Sequence, residues 1–218
     1  TLIPVSFLRR NFQIQEELLS IICTNSRVPK EARGDILSLM SCNDSGVERL
    51  NSLLNKFKLA NLDSITKFIF KQSKNAVEAS IKSLPTGTFL NTLKLDGFDK
   101  PIALKAILKI KEKSISVDLS GSSPAINRGI NCPLNYTIAY ASYGIKAAIC
   151  PDIPNNAASL AAIQIKAPPG LIVSAESPSP VTARHVVGQA LPDLVLGCLS
   201  KALPGKILAE SAGALWTI

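Results

Sequence analysis

Polar side chains of the kind that bind small molecules are concentrated in the second half of the chain, where charged residues are few. They occur in four segments, SPAINRGINCP, CPDIPNNAA, TARHVVGQ and AESAGALW. Asparagine amides offer both donors and an acceptor, and a buried polar group needs a partner. The candidate substrate-binding residues are Asn131, Asp152, Asn155, Asn156, Arg184 and His185, and the same polar set includes Asn127, Arg128 and Glu210. The alternative for each is a structural role, because Asn and Asp also favour turns.

The residues of a complete active site are missing from the sequence. His185 is the one histidine, and there is no G-x-x-x-x-G-K-[S/T], G-x-G-x-x-G or G-x-S-x-G motif. The five cysteines form no C-x-x-C pair, which predicts free thiols rather than a disulfide framework or a zinc site. We therefore expect this chain to hold no metal ion and no cofactor.

The net charge of +8 raises nucleic acid as a partner, but the distribution of charge argues against it. Residues 1–113 contain 18 Lys and Arg against 11 Asp and Glu, whereas residues 114–218 contain 6 against 5. No block of five or six like charges occurs, and no aromatic residues alternate with the basic ones. No apolar run reaches the roughly 18 residues of a membrane span, and the start lacks the apolar core of a signal peptide. We expect a cytoplasmic chain that binds neither nucleic acid nor membrane.

The elements that position the polar residues follow from periodicity. Residues 1–87 are predicted to be helical, with one helix beginning near Pro29 and another running from Asp63 to about Ser83. The first of these carries an apolar stripe of Val47, Leu50, Leu54 and Phe57. Residues 88–218 are predicted to be a mixed α+β segment. It begins with a three-stranded antiparallel meander over about 88–120, because apolar residues alternate there with a period of two. The predicted fold class is α+β.

The remaining elements are predicted from apolar runs. The segment PLNYTIAYASYGIKAAI carries a single charge, Lys146, and is predicted to be a deeply buried helix. LAAIQIKA is predicted to be a strand. A further helix is predicted over PVTARHVVGQALPDLVLGCLSKALPG, with a kink or break at Pro192 and an end before Gly205. Because residues 114–218 are poor in charge, we expect them to bury surface against other parts of a larger subunit.

Several of these segments resemble the hydantoinase B family. VDLSGSSPAINRGINCPLN followed by CPDIPNNAA is similar to two fairly specific blocks of that family. RVPKEARGD, NDSGVERL and AESAGALW follow the family order, so the resemblance spans nearly the whole chain. Leu39 and Ala158 depart from the pattern, where glutamine and glycine are expected. Family members are much longer, and the chain lacks an initial methionine, so we interpret it as the central fragment of a B subunit.

The resemblance implies part of the B subunit of an ATP-dependent hydrolase that opens cyclic amides such as hydantoins or 5-oxoproline. An A-like partner subunit would use ATP, and a metal ion would lie on the complete B subunit, held by motifs upstream of this fragment. The loop with Asn155 and Asn156 would line a pocket for the cyclic amide or only support a turn. Two alternatives stay open: a subunit of an acetone-type carboxylase, and a non-catalytic scaffold or interaction module.

Overall fold

The computed structural model describes residues 3–210, and its first compact unit, Thr1–Ser64, is mostly helical. The strands β1 (Arg9–Arg10) and β2 (Gln13–Ile14) form a short antiparallel ribbon. Helices α1 (Glu16–Thr24) and α2 (Pro29–Lys56) follow. Pro29 stands in the first turn of α2, as predicted, where its missing N–H removes no helical hydrogen bond.

Two bidentate ion pairs connect α2 with the preceding elements of this unit. The guanidinium of Arg9 donates to both carboxylate oxygens of Asp44 at 2.5 and 2.7 Å. Arg33 does the same to Glu16 at 2.9 and 3.0 Å, and this bonding lowers the pKa of the Glu16 carboxyl. Helix α2 is nevertheless poorly covered. None of its residues is buried, and the predicted apolar stripe is largely exposed.

The second compact unit, Ile65–Ile218, contains most of helix α3 (Asp63–Lys82) and the main sheet. Strands β3 (Gly87–Leu95), β4 (Ile102–Ile110) and β5 (Ile115–Asp118) form the antiparallel meander predicted from the two-residue period. In β4 the apolar residues at every second position are all buried, while Lys105 and Lys109 are exposed. The α+β fold class is thus confirmed.

A fourth strand, β6 (Ile163–Lys166), extends the sheet and pairs with β5 in parallel, Ile115 opposite Ile163. A parallel pair needs a crossover connection. Here the connection contains α4 (Leu134–Ile149) and the single turn α5 (Ala157–Leu160). The strand itself was predicted, but its parallel pairing was not, because a short alternating run contains no information about its neighbour.

The C-terminal helix differs from the prediction. The segment forms two helices, α6 (His185–Gly188) and α7 (Ala190–Ala202), which meet at Gln189. The break therefore precedes Pro192, which lies in the first turn of α7. A proline is tolerated there because first-turn N–H groups have no partner within the helix. Gly205 lies beyond the helix end with a φ of 74°, as predicted.

The core of the second unit lies between the sheet and the helices α4 and α7. Helix α7 packs on β3 and β4, and α4 packs on α7 and β6. The fully buried side chains include Leu104, Leu108, Ile145, Leu191 and Leu199. The low charge of residues 114–210 is therefore explained by a core that this unit forms itself.

Along the chain, the boundary between the compact units falls after Ser64. The predicted segments 1–87 and 88–218 divide the chain by type of element instead, and that division stays a prediction. Within residues 3–210, no helix combines the length and apolar character needed to span a membrane.

Candidate functional site

Asn131 is fully buried in the loop between β5 and α4, and its side-chain amide is completely used. The two N–H groups of its Nδ2 are shared among the carbonyl oxygens of Ile126, Arg128 and Pro180, which lie at 2.8, 2.9 and 2.8 Å. Its Oδ1 accepts from the backbone N–H of Ile126 at 2.9 Å. This residue therefore holds its own loop closed and connects it to the segment that precedes α6.

Arg184 and His185 lie on the exposed side of that same segment, at the start of α6. The Arg184 guanidinium carbon lies 5.5 Å from the ring centroid of Tyr136, which stacks on Tyr140. The Arg184 carbonyl accepts from the Cys132 thiol at 3.1 Å. Burial raises the pKa of that thiol to about 12, although the nearby Arg184 lowers it in part. Because it is buried and its pKa is raised, we expect the Cys132 thiol to react slowly.

Asn156 caps the single turn α5. Its Oδ1 accepts from the Ser159 N–H at 2.9 Å, and Ser159 Oγ accepts from the Asn156 N–H at 3.0 Å, a reciprocal capping box. Its Nδ2 donates to Ser73 Oγ on α3 at 2.8 Å. The oxygen and the nitrogen of the Asn156 side chain are thus both bound, to α5 and to α3, and these bonds fix the end of the loop.

The rest of this loop is exposed. Asp152 and Asn155 both face solvent, and Asn155 lines a cavity of about 440 Å³ at the side of α4. Lys146, one turn before the end of α4, lines the same cavity. Its ammonium donates to the carbonyl oxygens of Cys150, at 3.3 Å, and of Ile153. A buried lysine thus holds the first half of the loop.

The predicted site residues therefore form two groups. Asn131, Arg184 and His185 belong to the first, and the residues of the loop after α4 belong to the second. Between residues 3 and 210, no hydrogen bond or ion pair joins the two groups. Their role in substrate binding stays a prediction. The sequence interpretation did not include Lys146 among the candidates, although its position as the single charge of an apolar helix distinguishes it, and the structure places it beside Asn155 in the lining of the cavity.

A second cavity, of about 620 Å³, lies between the β3–β4 turn and the loop that follows β5. Asn127 and Arg128 line it together with Phe98, Asp99 and Lys100. The guanidinium carbon of Arg128 lies 4.9 Å from the centroid of the Phe98 ring. A planar cation on an aromatic face is a suitable wall for a polar ligand. Glu210 is exposed and lies apart from this cavity, near the end of the described residues.

The residues present do not fit the metal ion or the ATP implied for the complete complex. Within the described part of the chain, no three side chains of His, Cys, Asp or Glu are grouped as metal ligands would be. All five cysteines are free thiols, and three of them are buried. The chain also has no glycine-rich phosphate loop.

Comparisons with known proteins identify the relatives of the chain. The family model described as Hydantoinase B/oxoprolinase matches residues 1–218. A candidate B subunit of a D-/L-hydantoinase from Pseudomonas sp. (strain NS671) is 27% identical over 203 residues, which cover 87% of this chain and 34% of that protein. The 5-oxoprolinase of Dictyostelium discoideum is 27% identical over 194 residues, 84% of this chain and 15% of the enzyme. The chain thus spans about a third or less of these two relatives.

Two solved structures share the fold. The ATP-dependent caprolactamase from Pseudomonas jessenii has a TM-score of 0.82 at 20% identity and covers 94% of this chain, which corresponds to 36% of the caprolactamase chain. Acetone carboxylase in its nucleotide-free form has a TM-score of 0.66 at 12% identity and covers 90% of this chain and 28% of its own. At these identities the likeness concerns the fold alone.

Proposed function

Because this chain belongs to the hydantoinase B/oxoprolinase family, we propose that it is part of the B subunit of a cytoplasmic, ATP-dependent hydrolase that opens cyclic amides. The ring would be of the hydantoin or 5-oxoproline type, and an A-like subunit would be the partner. The observation that carries the proposal is the uninterrupted family match over residues 1–218. The names hydantoinase and 5-oxoprolinase among the relatives support the hydrolase class.

The described residues suit a supporting role in such an enzyme. They lack a metal-ligand cluster and a phosphate loop, so we assign the use of ATP to the partner and the metal ion to other parts of the B subunit. Opening an unactivated amide needs an activated carbonyl and a polarised water, which isolated amide side chains do not supply. Asp152, Asn155, Arg184 and His185 are exposed and free to contact a substrate, whereas Asn131 and Asn156 hold loops in place.

The test is a reconstitution of the full-length protein with its A-like partner. Hydantoin, 5-oxoproline and caprolactam are supplied in turn with ATP and Mg²⁺, and the ring-opened product is measured by mass spectrometry alongside the nucleotide product. We expect ring opening that requires both ATP and the partner, with nucleotide hydrolysis in proportion to product. Ring opening of any of these amides without ATP would contradict the proposal.

A carboxylase is the second candidate, because acetone carboxylase shares the fold over 90% of this chain. The same reconstituted protein is therefore given acetone and ¹³C-bicarbonate with ATP. Incorporation of label into a carboxylic acid product, without opening of any cyclic amide, would establish this second function instead. If a well-formed complex converts neither the cyclic amides nor acetone, the result would favour the scaffold alternative.

A further inference from the structure

Lys146 is a buried cation without a carboxylate partner. Only 6% of the residue is exposed, and between residues 3 and 210 it forms no ion pair. Its two hydrogen-bond acceptors are the neutral carbonyl groups of Cys150 and Ile153. An ammonium has three N–H donors, so one donor is left after these two bonds. Lysine is rarely buried unless it is paired, because removal of a charge from water is unfavourable.

The cavity beside Lys146 has the composition of a ligand site. Its volume of about 440 Å³ lies within the usual range for small-molecule pockets. Most of its walls are apolar, with contributions from Ile138, Leu160 and Ile163. Its polar lining is restricted to Ser142, Tyr143, Lys146 and Asn155. The wall thus combines one buried positive charge, a few polar groups and an apolar surface.

We propose that this cavity binds a small carboxylate that has an apolar body, with the carboxylate at Lys146 and the body against the apolar wall. A carboxylate would supply the negative charge that the buried ammonium lacks, and it would accept the remaining N–H. Ser142 and Asn155 line the same cavity and carry hydrogen-bond donors for the second carboxylate oxygen. A phosphate would neutralise the charge as well, but it would leave the apolar wall without a partner. The proposal concerns binding alone and requires neither ATP nor a partner protein.

The experiment measures binding of 4-fluorobenzoate to the full-length protein by ¹⁹F NMR titration. Two further titrations use 4-fluorobenzamide, which has the same shape without the charge, and inorganic phosphate. A charge-assisted hydrogen bond is worth about 1.5–3 kcal/mol, which corresponds to at least about tenfold in affinity. We expect saturable binding of the benzoate at one site, with the benzamide and phosphate at least about tenfold weaker. Equal affinity for benzamide, stronger binding of phosphate, or no binding of the benzoate would overturn the proposal.

Variants locate the binding. Lys146→Met removes the ammonium and is expected to reduce the preference for benzoate over benzamide to about one, a loss of about tenfold or more. Lys201→Met is the matched control, because Lys201 also lies on a helix and donates to a backbone carbonyl, that of Leu90, but it is exposed and outside the cavity. It should leave benzoate binding unchanged. Loss of benzoate binding in the control would contradict the assignment to Lys146.

Lys146→Met also removes the two hydrogen bonds that hold the loop, and a second variant separates binding from this structural effect. Ala147 is exposed on α4 and lines the cavity, so Ala147→Leu fills the space and keeps Lys146 and its two bonds. We expect this variant to lose benzoate binding by about tenfold or more while its melting temperature stays within about 2 °C of the parent. Unchanged benzoate affinity in Ala147→Leu would show that the ligand does not occupy this cavity.

Discussion

At the residue scale, the polar side chains of the charge-poor half differ in what they already bind. The amides of Asn131 and Asn156 are engaged by protein partners, whereas Asp152 and Asn155 are exposed. The sequence predicts that such residues gather in loops, but it does not distinguish these two classes. The reason is distance along the chain, because the partners Pro180 and Ser73 lie 49 and 83 residues away.

Asn156 provides the test of this distinction. Asn156→Ala removes the cap of α5 and the bond to Ser73, so we expect a loss of about 1–2 kcal/mol in the free energy of unfolding. Asn156→Asp keeps the capping acceptor and should fall between the parent and the alanine variant. Asn155→Ala, at the exposed neighbour, should leave the free energy of unfolding unchanged. Chemical denaturation of the three variants measures this order, and a neutral Asn156→Ala would contradict the capping role.

The cysteines allow a second test at this scale. Burial raises the pKa of Cys132 to about 12 and that of Cys198 to about 11, so at pH 8 only about one Cys132 in ten thousand is a thiolate. We expect iodoacetamide at pH 8 to label the exposed Cys42 rapidly and to leave Cys132 and Cys198 unlabelled until the chain is denatured. Peptide mass spectrometry identifies the labelled sites. Labelling of Cys132 at the rate of Cys42 would show that its surroundings are open.

These thiols also affect the pH dependence of stability. Their folded pKa lies above the unfolded value of about 8.5, so their contribution is complete below that pH and decreases as the pH rises above it. We expect the free energy of unfolding of the parent to decrease between pH 8.5 and 10. A Cys132→Ala and Cys198→Ala double variant should show a smaller decrease over that interval. The free energy of unfolding is measured by urea denaturation at several pH values in this interval. The same decrease with pH in the parent and in the double variant would contradict the assignment.

At the element scale, periodicity predicted the elements themselves better than their connections. The meander of β3, β4 and β5 was predicted because alternation in a half-buried strand is a local property. The parallel partner of β5 and the position of the break between α6 and α7 depend on tertiary packing. The periodicity of apolar residues along the chain contains no information about that packing. The proline indicated a break but not its position. The break lies at Gln189, and Pro192 occupies the first turn of α7.

The contact between α4 and α7 depends on a glycine. A Cβ atom on Gly144 would lie 2.8 Å from the Cα of Pro192 and 3.0 Å from the Cγ2 of Val195. We therefore expect Gly144→Ala to separate the helices and to cost about 1–3 kcal/mol, measured by thermal unfolding. The matched control is Gly34→Ala on α2, where an added Cβ atom would have no neighbouring side chain or other element within 4 Å. There the better helix propensity should stabilise α2 by up to about 1 kcal/mol. A stable Gly144→Ala variant would mean that the helices are not in close contact.

At the scale of the whole molecule, exposed apolar side chains are concentrated in the first third of the chain. Residues 114–210 contribute much of the core of the second unit, together with residues of α3 and β4, and their burial against other parts of a larger subunit stays a prediction. Most of the large apolar side chains exposed between residues 3 and 210 instead precede residue 71. Composition counts charges and apolar residues, but it does not show which of them face one another. That arrangement is set by the tertiary fold.

We therefore expect hydrophobic ligands to bind mainly to the exposed apolar side chains of α2. Leu50 on α2 and Phe57, which follows its last residue, belong to the predicted stripe and are 43% and 62% exposed. Exposed apolar side chains bind hydrophobic dyes. We expect Leu50→Ser and Phe57→Ser each to lower the fluorescence of bound anilinonaphthalene sulfonate. Leu134→Ser, at an exposed leucine of the charge-poor half, is the control and should change it little. Because α2 buries none of its residues, the two stripe variants should not lower the melting temperature. Dye fluorescence that is unchanged in both stripe variants but lower in Leu134→Ser would show that the dye binds to the charge-poor half instead.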